Sequence, residues 1–568
     1  MELILKFIFL IPLFSITTTF KCGFNTIKRP PIGKISPDNS LNSKLRRNSE
    51  SHPIEIEVHY QILDKCKDNH TITSDQYNNI KLSFERAIEA FQKYLIVKTS
   101  NTYKFEDSDI DRYHLDFTSK DITTLLNKEL NKDVYLVPYI YSLDDGVDAA
   151  AYPILSDSTT KRPILGGVLL GKHYDFSKDP SNRFLAMLLL HEISHVLAFN
   201  DDLFSDFVGI TEPTTILPVN GLSRVLLKTP KVLEKARGHF GCPSLKGVEL
   251  EDQGGSGSAG SHWEARIMLG DYMISTDYPE LVVSDITLAV FEDSGWYEVN
   301  YFTGGLFKTG KGEGCNFLQK TCIDTDDIER KSRFPMDFCN TEYEVCSPGM
   351  LDRGECYIGQ YSSSIMYEYQ YFGDTKIGGF EPADYCPVAM SFPSETGNYY
   401  LYSRCDDAAK KDNLPTDIYQ TFGDKSFCFQ SSLMKSSASQ TTKNKYGDKL
   451  TARCLQINNC ELNTLSYKVQ IGDNLDFICS NATSQLAYEV DGFEGILVCP
   501  PYWRICGGSE LCNDPLECAK KEVITKIEDT TNYVVDKAVY DPKYEYPNGS
   551  KFVHFNFWIF ISLLNFIL

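Results

Sequence analysis

His191 and His195 flank Glu192 in His191-Glu192-Ile193-Ser194-His195, an H-E-x-x-H pattern. On a helix, residues four apart leave the same face, so both imidazoles can reach one tetrahedral zinc ion while Glu192 projects beside them. Zinc with three protein ligands keeps a fourth position for water and brings the pKa of that water towards neutrality. A neighbouring carboxylate can then take the proton as the water attacks a carbonyl, and Glu192 fits that role as general base. A third ligand must come from elsewhere in the chain. The candidates are His239, in Arg237-Gly238-His239-Phe240, and His262, in Ser261-His262-Trp263-Glu264, with Glu264 as a carboxylate alternative. His262 is the better placed, because the Gly/Ser-rich approach from Gly254 to Ser261 lets the backbone fold tightly back to the helix. Met273 follows eleven residues later, where a methionine-bearing turn could lie beneath the metal.

These residues need a scaffold. Asp179 can cap a helix with Pro180 in its first turn, and the good helix formers from Leu185 to Leu190 continue it through the two histidines. That helix is apolar on nearly all sides before His191, which implies burial. Two buried histidines and a glutamate would be costly without a partner, and a zinc ion supplies one. Upstream, Ile54 to Tyr60 alternates as a strand, Asn79 to Tyr94 reads as a helix, and Val134 to Tyr141 and Ile164 to Leu170 read as strands. The fold class is therefore α+β. Within Ile164 to Leu170, the glycines Gly166 and Gly167, with Val168, favour close backbone approach. The residues alone leave it even whether this is an ordinary interior strand or a candidate edge strand to which a peptide substrate could add by β-augmentation.

The chain has 568 residues, 56 Lys+Arg against 77 Asp+Glu, and a net charge of −21. So acidic a chain, without a long basic run, has no electrostatic footprint for nucleic acid. Of its 18 cysteines, fifteen lie irregularly between Cys315 and Cys518, a distribution that favours disulfides in an oxidising compartment over metal clusters. Met1 to about Phe20 reads as a secretory signal. At the other end, the apolar stretch Phe552 to Leu568 follows Asn548-Gly549-Ser550, small residues suited to GPI attachment at Asn548; a single membrane span is the competing reading. Asn69-His70-Thr71 and Asn481-Ala482-Thr483 are N-glycosylation sequons.

In order along the chain, Arg162-Pro163-Ile164-Leu165-Gly166-Gly167, the H-E-x-x-H segment, Ser261-His262-Trp263-Glu264, Met273, the helix-like Ala289 to Tyr297, Gly314-Cys315-Asn316-Phe317, Asp384-Tyr385-Cys386-Pro387 and Cys499-Pro500 resemble the leishmanolysin family of surface zinc metallopeptidases. The resemblance implies a metzincin-like catalytic core in two subdomains, then a disulfide-rich, mostly β C-terminal domain. It puts the zinc ligands on His191, His195 and His262, the acid/base on Glu192 and the Met-turn on Met273. It also implies a propeptide whose cysteine occupies the zinc, for which Cys22 is the candidate.

The expected layout is a signal peptide at 1–20, a propeptide at 21–50, an N-terminal catalytic subdomain with the active-site helix at 51–200, and the insertion, third ligand and Met-turn at 201–310. A cysteine-rich domain follows at 311–520, a stalk at 521–550 and the GPI-anchor signal or membrane anchor at 551–568. The expected function is that of a secreted or cell-surface endopeptidase acting on proteins or peptides with one Zn2+ per chain. The alternative is a non-catalytic adhesion protein with structural zinc, since the family is associated with adhesion as well as proteolysis. One departure is Ala198, where H-E-x-x-H-x-x-G has glycine. The cysteine count carries a consequence too: removing Cys22 leaves an odd number, so at least one cysteine must stay unpaired or pair between chains.

Overall fold

A computed structural model describes residues 31–37, 51–98, 100–112, 117–144, 147–177, 183–253, 259–278, 280–301, 307–340, 344–391, 404–408, 417–447, 449–472, 475–480, 485–490 and 492–506. The signal segment, Cys22, Asn481, the stalk and the anchor segment with Asn548 lie outside the described residues. The chain divides into two units, one holding the described residues up to Cys322 together with Gln360–Cys386, the other Ile323–Gly359 with Pro387–Cys506.

In the first unit five strands form a mixed sheet. They are β1 (Gly33–Ile35), β2 (Ile56–Val58), β3 (Val134–Tyr141), β4 (Ala149–Asp157) and β5 (Pro163–Gly171), in the order β1-β4-β5-β3-β2. Strands β2, β3 and β5 are parallel, β4 is antiparallel to β5, and β1 is parallel to β4. Every residue of β4 and β5 is buried, as their near-continuous apolar sequences require of strands covered on both faces. Strand β3 has its expected bounds. The strand expected over Ile54 to Tyr60 shrinks to β2, which pairs only with Val134, Tyr135 and Leu136.

The candidate edge strand is corrected by this order. Gly166 pairs with Pro153 on one side and Leu136 on the other, Gly167 with Tyr152 and Val137, and Val168 with Ala151 and Pro138. An interior strand uses its backbone groups on both sides, so no peptide can add to it. The antiparallel outer member of the sheet is β4, bordered in part by β1.

Helix α1 (Ser74–Tyr94) starts five residues ahead of the expected Asn79 because Thr73 and Gln76 form a capping box: Gln76 N–H donates to Thr73 Oγ1 (3.1 Å) and Thr73 N–H to Gln76 Oε1 (2.8 Å). Its apolar stripe, Tyr77, Ile80, Phe84, Ala87 and Phe91, is buried. Helix α2 (Arg183–Leu197) carries the H-E-x-x-H residues and packs against α1, β4 and β5. Gly166 has its purpose here, since a Cβ on it would lie 2.4 Å from Val196 Cγ1. The glycine lets α2 close on the sheet one residue beyond His195. Gly166→Ala is therefore expected to cost about 1–3 kcal/mol by overpacking. Denaturant unfolding measures it, with Gly167→Ala as a mild control because a Cβ there meets nothing nearer than 3.5 Å.

The second unit is built on a seven-stranded sheet whose pairs are antiparallel, including Ser426–Ser431 on Thr451–Glu461 and Ser466–Ile471 on Leu475–Ser480. Alternate residues of these strands, Phe427, Phe429, Leu455, Tyr467, Val469 and Phe477, form its core. Five disulfides staple it: Cys339–Cys356, Cys346–Cys428, Cys405–Cys454, Cys460–Cys506 and Cys479–Cys499. The first unit has Cys242–Cys315 and Cys322–Cys386. Together they make an α+β chain with a β-rich, disulfide-rich C-terminal region. Among the described residues the unpaired cysteine is Cys66, whose thiol pKa burial pushes up. No helix among the described residues is long and apolar enough to cross a membrane.

Candidate active site

Helix α2 delivers His191, Glu192 and His195 into the interior, where none is more than 1% exposed. Of the 66 residues between His195 and His262, the described ones include a hairpin of β6 (Thr214–Val219) and β7 (Leu222–Leu227), a helix α3 (Pro230–Phe240), and a short strand β8 (Val248–Glu249) paired to β7. The chain then doubles back through Gly260, at φ 89°, a left-handed turn that suits glycine. It enters a narrow ribbon in which Trp263 bridges Leu250 on one side and Ile274 on the other. Within it Glu251 N–H donates to His262 O (2.9 Å) and Trp263 N–H to Met273 O (3.0 Å). Trp263 is the anchor: fully buried, it donates its indole N–H to Thr287 Oγ1 (2.7 Å) on α4 (Asp285–Asp293) and sits edge-on to Phe199. This ribbon carries His262 to the helix.

The three histidines converge. His191 Nε2 lies 3.1 Å from His195 Nε2 and 3.2 Å from His262 Nε2. On the far side of the rings, His191 Nδ1 faces Tyr272 O at 2.6 Å and His195 Nδ1 faces Phe199 O at 2.7 Å. A carbonyl only accepts, so both Nδ1 atoms carry the proton and both Nε2 atoms carry a lone pair. Lone pairs aimed at one another at this distance repel unless a cation lies between them. Zinc–nitrogen bonds of about 2.0–2.1 Å in a tetrahedron hold ligand nitrogens roughly 3.3 Å apart, so the donor set fits that ion. Burial, and after it the neighbouring His262, push the pKa of His191 down to about 3, which keeps the ring neutral and able to ligate. The carbonyl partners are the orienting contacts expected of metal-bound histidines.

Met273 is fully buried, directly after the Tyr272 whose carbonyl holds His191. Its turn is pinned by Asp271, whose carboxylate accepts Met273 N–H (2.8 Å) and the Thr287 hydroxyl (2.8 Å). Thr287 thus joins the Met273 turn to Trp263 and so to the third histidine. Ala198 is not among the left-handed residues. The helix closes with the Ala198 and Phe199 N–H groups both donating to Ser194 O (3.0 and 2.9 Å), and the Phe199 carbonyl faces His195 Nδ1. Alanine for glycine carries no backbone strain here.

The leishmanolysin family model matches residues 40–512. The chain belongs to the leishmanolysin family. Similar proteins include a leishmanolysin homolog of Crithidia fasciculata, 32% identical over 325 residues that cover 56% of this chain and 47% of that one. A leishmanolysin of Leishmania tropica is 27% identical over 342 residues (58% and 48%), and a leishmanolysin-like peptidase of Drosophila pseudoobscura pseudoobscura 28% over 304 residues (50% and 44%). This leishmanolysin-family chain spans about half the length of the relatives it matches.

The other candidate ligands are engaged elsewhere. His239, on α3, has Nε2 at 2.8 Å from Thr309 O and stacks on Phe307. Glu264 accepts Arg266 N–H (2.9 Å) and lies in a buried charge cluster that residue spacing did not reveal. There Asp384 Oδ2 accepts Arg224 Nη2 (2.6 Å) and Arg266 Nε (3.1 Å), while Arg266 Nη2 donates to Glu249 Oε1 (2.7 Å). Burial disfavours both guanidinium charges, but Asp384 and the glutamates more than reverse it and raise both pKa values. Removing one member of such a cluster typically costs about 3–5 kcal/mol. Segment Gln360–Cys386, through Asp384, thereby braces the chain four residues beyond His262. A possible sequence signal was Arg266 set between apolar neighbours. Asn69 is exposed after the helix Gln61–Asp68, and its Oδ1 accepts both the N–H (3.1 Å) and the hydroxyl (2.6 Å) of Thr71.

Proposed function

We propose that this chain is a zinc-dependent endopeptidase, secreted or held at the cell surface, with a metzincin-type core. The convergence of three Nε2 atoms on one point, beside a buried glutamate, carries the reading. His191, His195 and His262 would hold the ion, which when bound supplies Lewis acidity and brings water into the nucleophilic range at neutral pH. The chain's own groups do the rest. Tyr272 O and Phe199 O keep two rings in the ligating tautomer. The Glu192 carboxylate accepts a proton as the peptide carbonyl is attacked and returns it to the departing amine nitrogen. Met273 forms the floor of the site. A peptide would lie extended along β4, the antiparallel outer strand, which packs on the same helix as the ligands.

The finer features belong to the same proposal: a propeptide with Cys22 as zinc-blocking thiolate, GPI attachment at Asn548, glycans at Asn69 and Asn481, the domain layout given above, and adhesion partners beside protein substrates. Hydrolysis of a quenched fluorescent peptide by the processed, zinc-loaded chain tests the activity. A chelator is expected to abolish it and added zinc to restore it. Turnover that persists unchanged in chelator would sink the reading.

A further inference from the structure

Ser194 fills a position that the H-E-x-x-H pattern leaves open, and Tyr272 stands directly ahead of Met273. Both are buried, and their side chains meet: Ser194 Oγ lies 2.8 Å from Tyr272 Oη and 2.9 Å from Leu190 O. A carbonyl only accepts, so the single Ser194 hydroxyl proton goes to Leu190 O, four residues back on α2, and the Tyr272 phenol donates to Ser194 Oγ. Bonding back to the carbonyl four residues earlier is an ordinary habit of helical serines and needs no tyrosine. The remaining lone pair of the hydroxyl is what receives Tyr272.

The same tyrosine reaches the metal centre through its main chain, since Tyr272 O faces His191 Nδ1 at 2.6 Å. The two ligands on α2 are oriented in different ways. His195 takes its carbonyl from Phe199, on the chain that leaves its own helix, so its ring is set by local geometry. His191 takes its carbonyl from a turn 81 residues further along the chain, so its ring is set only as well as that turn is docked. Positions 191 and 194 are neighbours on a helix surface. Tyr272 therefore holds one stretch of α2 at two points, by its carbonyl and by its phenol, while its own N–H donates to Val282 O (2.9 Å). A single hydrogen bond lets the carbonyl pivot about the contact, and a second contact from the same residue stops it.

We propose that Ser194 and the Tyr272 phenol form a latch that positions His191 for zinc. Ser194 is not one of the converging ligands. It is a positioning residue, acting through Tyr272 on a ring whose lone pair must point at the ion. The proposal rests on the zinc reading of the histidine triad, and it gives the Ser194 hydroxyl a part that alanine, though small enough to fit, does not fill.

The test uses the full chain with Ser194→Ala, Tyr272→Phe and the two combined. Tyr103→Phe is the control, because it removes another buried phenol, the one that donates to Asp157 Oδ2 (2.6 Å). Zinc affinity is read by competition against a zinc indicator, and stability by the unfolding midpoint of the zinc-free protein. Each single variant is expected to weaken zinc about 10-fold, the lower end of what an orienting partner contributes, and the double variant no more than either single one. The midpoint is expected to fall in Ser194→Ala, which leaves a buried phenol without its acceptor, and to recover in the double variant, where both polar partners are gone. Zinc affinity should stay low there, and Tyr103→Phe should lose stability while keeping its zinc. Unchanged zinc affinity in both single variants would overturn the proposal. Losses that multiply in the double variant would overturn it too, since the two groups would then act separately. So would an affinity that merely follows the midpoint, recovering in the double variant and falling in Tyr103→Phe, because the hydrogen bond would then be structural only. If zinc binding follows the expected pattern but the processed, zinc-loaded unaltered chain hydrolyses no peptide, the latch stands and the peptidase reading fails; an unaltered chain that binds no zinc would overturn both.

Discussion

Glu192→Gln is expected to lower peptide hydrolysis by roughly 10²–10⁴-fold while the chain still binds zinc. Glutamine matches the shape of glutamate and keeps its place on a buried helix, so packing around residue 192 is conserved. It cannot accept the proton. Glu192 is also outside the histidine triad whose ligand atoms converge, so its substitution removes no first ligand. The loss should therefore fall on kcat, with zinc content and unfolding midpoint close to those of the unaltered chain. Steady-state kinetics on a fluorescent peptide, beside metal analysis of the same preparation, separate the outcomes. Activity within a few fold of the original would require a different base. Loss of zinc together with activity would make Glu192 a contributor to the metal site instead.

His262→Ala is expected to empty the metal site, with activity lost as a consequence. Losing an orienting partner of a ligand usually weakens zinc about 10–100-fold, and losing the ligand itself should exceed that. The fold should survive, because the ribbon around residue 262 is held by its neighbours. Trp263 bridges both flanking segments and reaches Thr287, and Glu251 bonds to the backbone of residue 262 whatever its side chain. His239→Ala is the control, since that ring serves Thr309 and Phe307 instead. Competition against a zinc indicator measures the affinities. Unchanged zinc affinity in His262→Ala would return the third-ligand role to Glu264.

Much of this site was legible residue by residue. The pairing of His191 with His195 follows from helical periodicity, a local property, and so do α1, β3 and most of β5. The Gly/Ser run singled out His262 over His239 because short-range chain flexibility is written in composition. Other features were not legible. The Thr73 and Gln76 box extended α1 beyond its apolar stripe, and Ala198 needed no left-handed turn because Ser194 O takes two amides. The partners that orient His191 and His195, Tyr272 O and Phe199 O, are backbone atoms and carry no side-chain signature at all.

By itself, then, the sequence determined that His191 and His195 share one helix face with Glu192 beside them, that the cysteines of the C-terminal region suit disulfides, and the α+β class. The edge of the sheet was decided only by tertiary structure. Ile164 to Leu170 and Ala149 to Asp157 are both apolar runs, and which of them is interior depends on hydrogen-bond partners far away in the chain. Gly166 signals a close approach, and only the packed structure shows that what approaches is Val196. The pairing of fourteen cysteines, the capture of Asp384 by Arg224 and Arg266, and the place of β1 on β4 are likewise non-local. Periodicity and composition encode what a residue prefers within a turn or two of chain, whereas these contacts join segments dozens of residues apart and are selected by the packing of the whole unit.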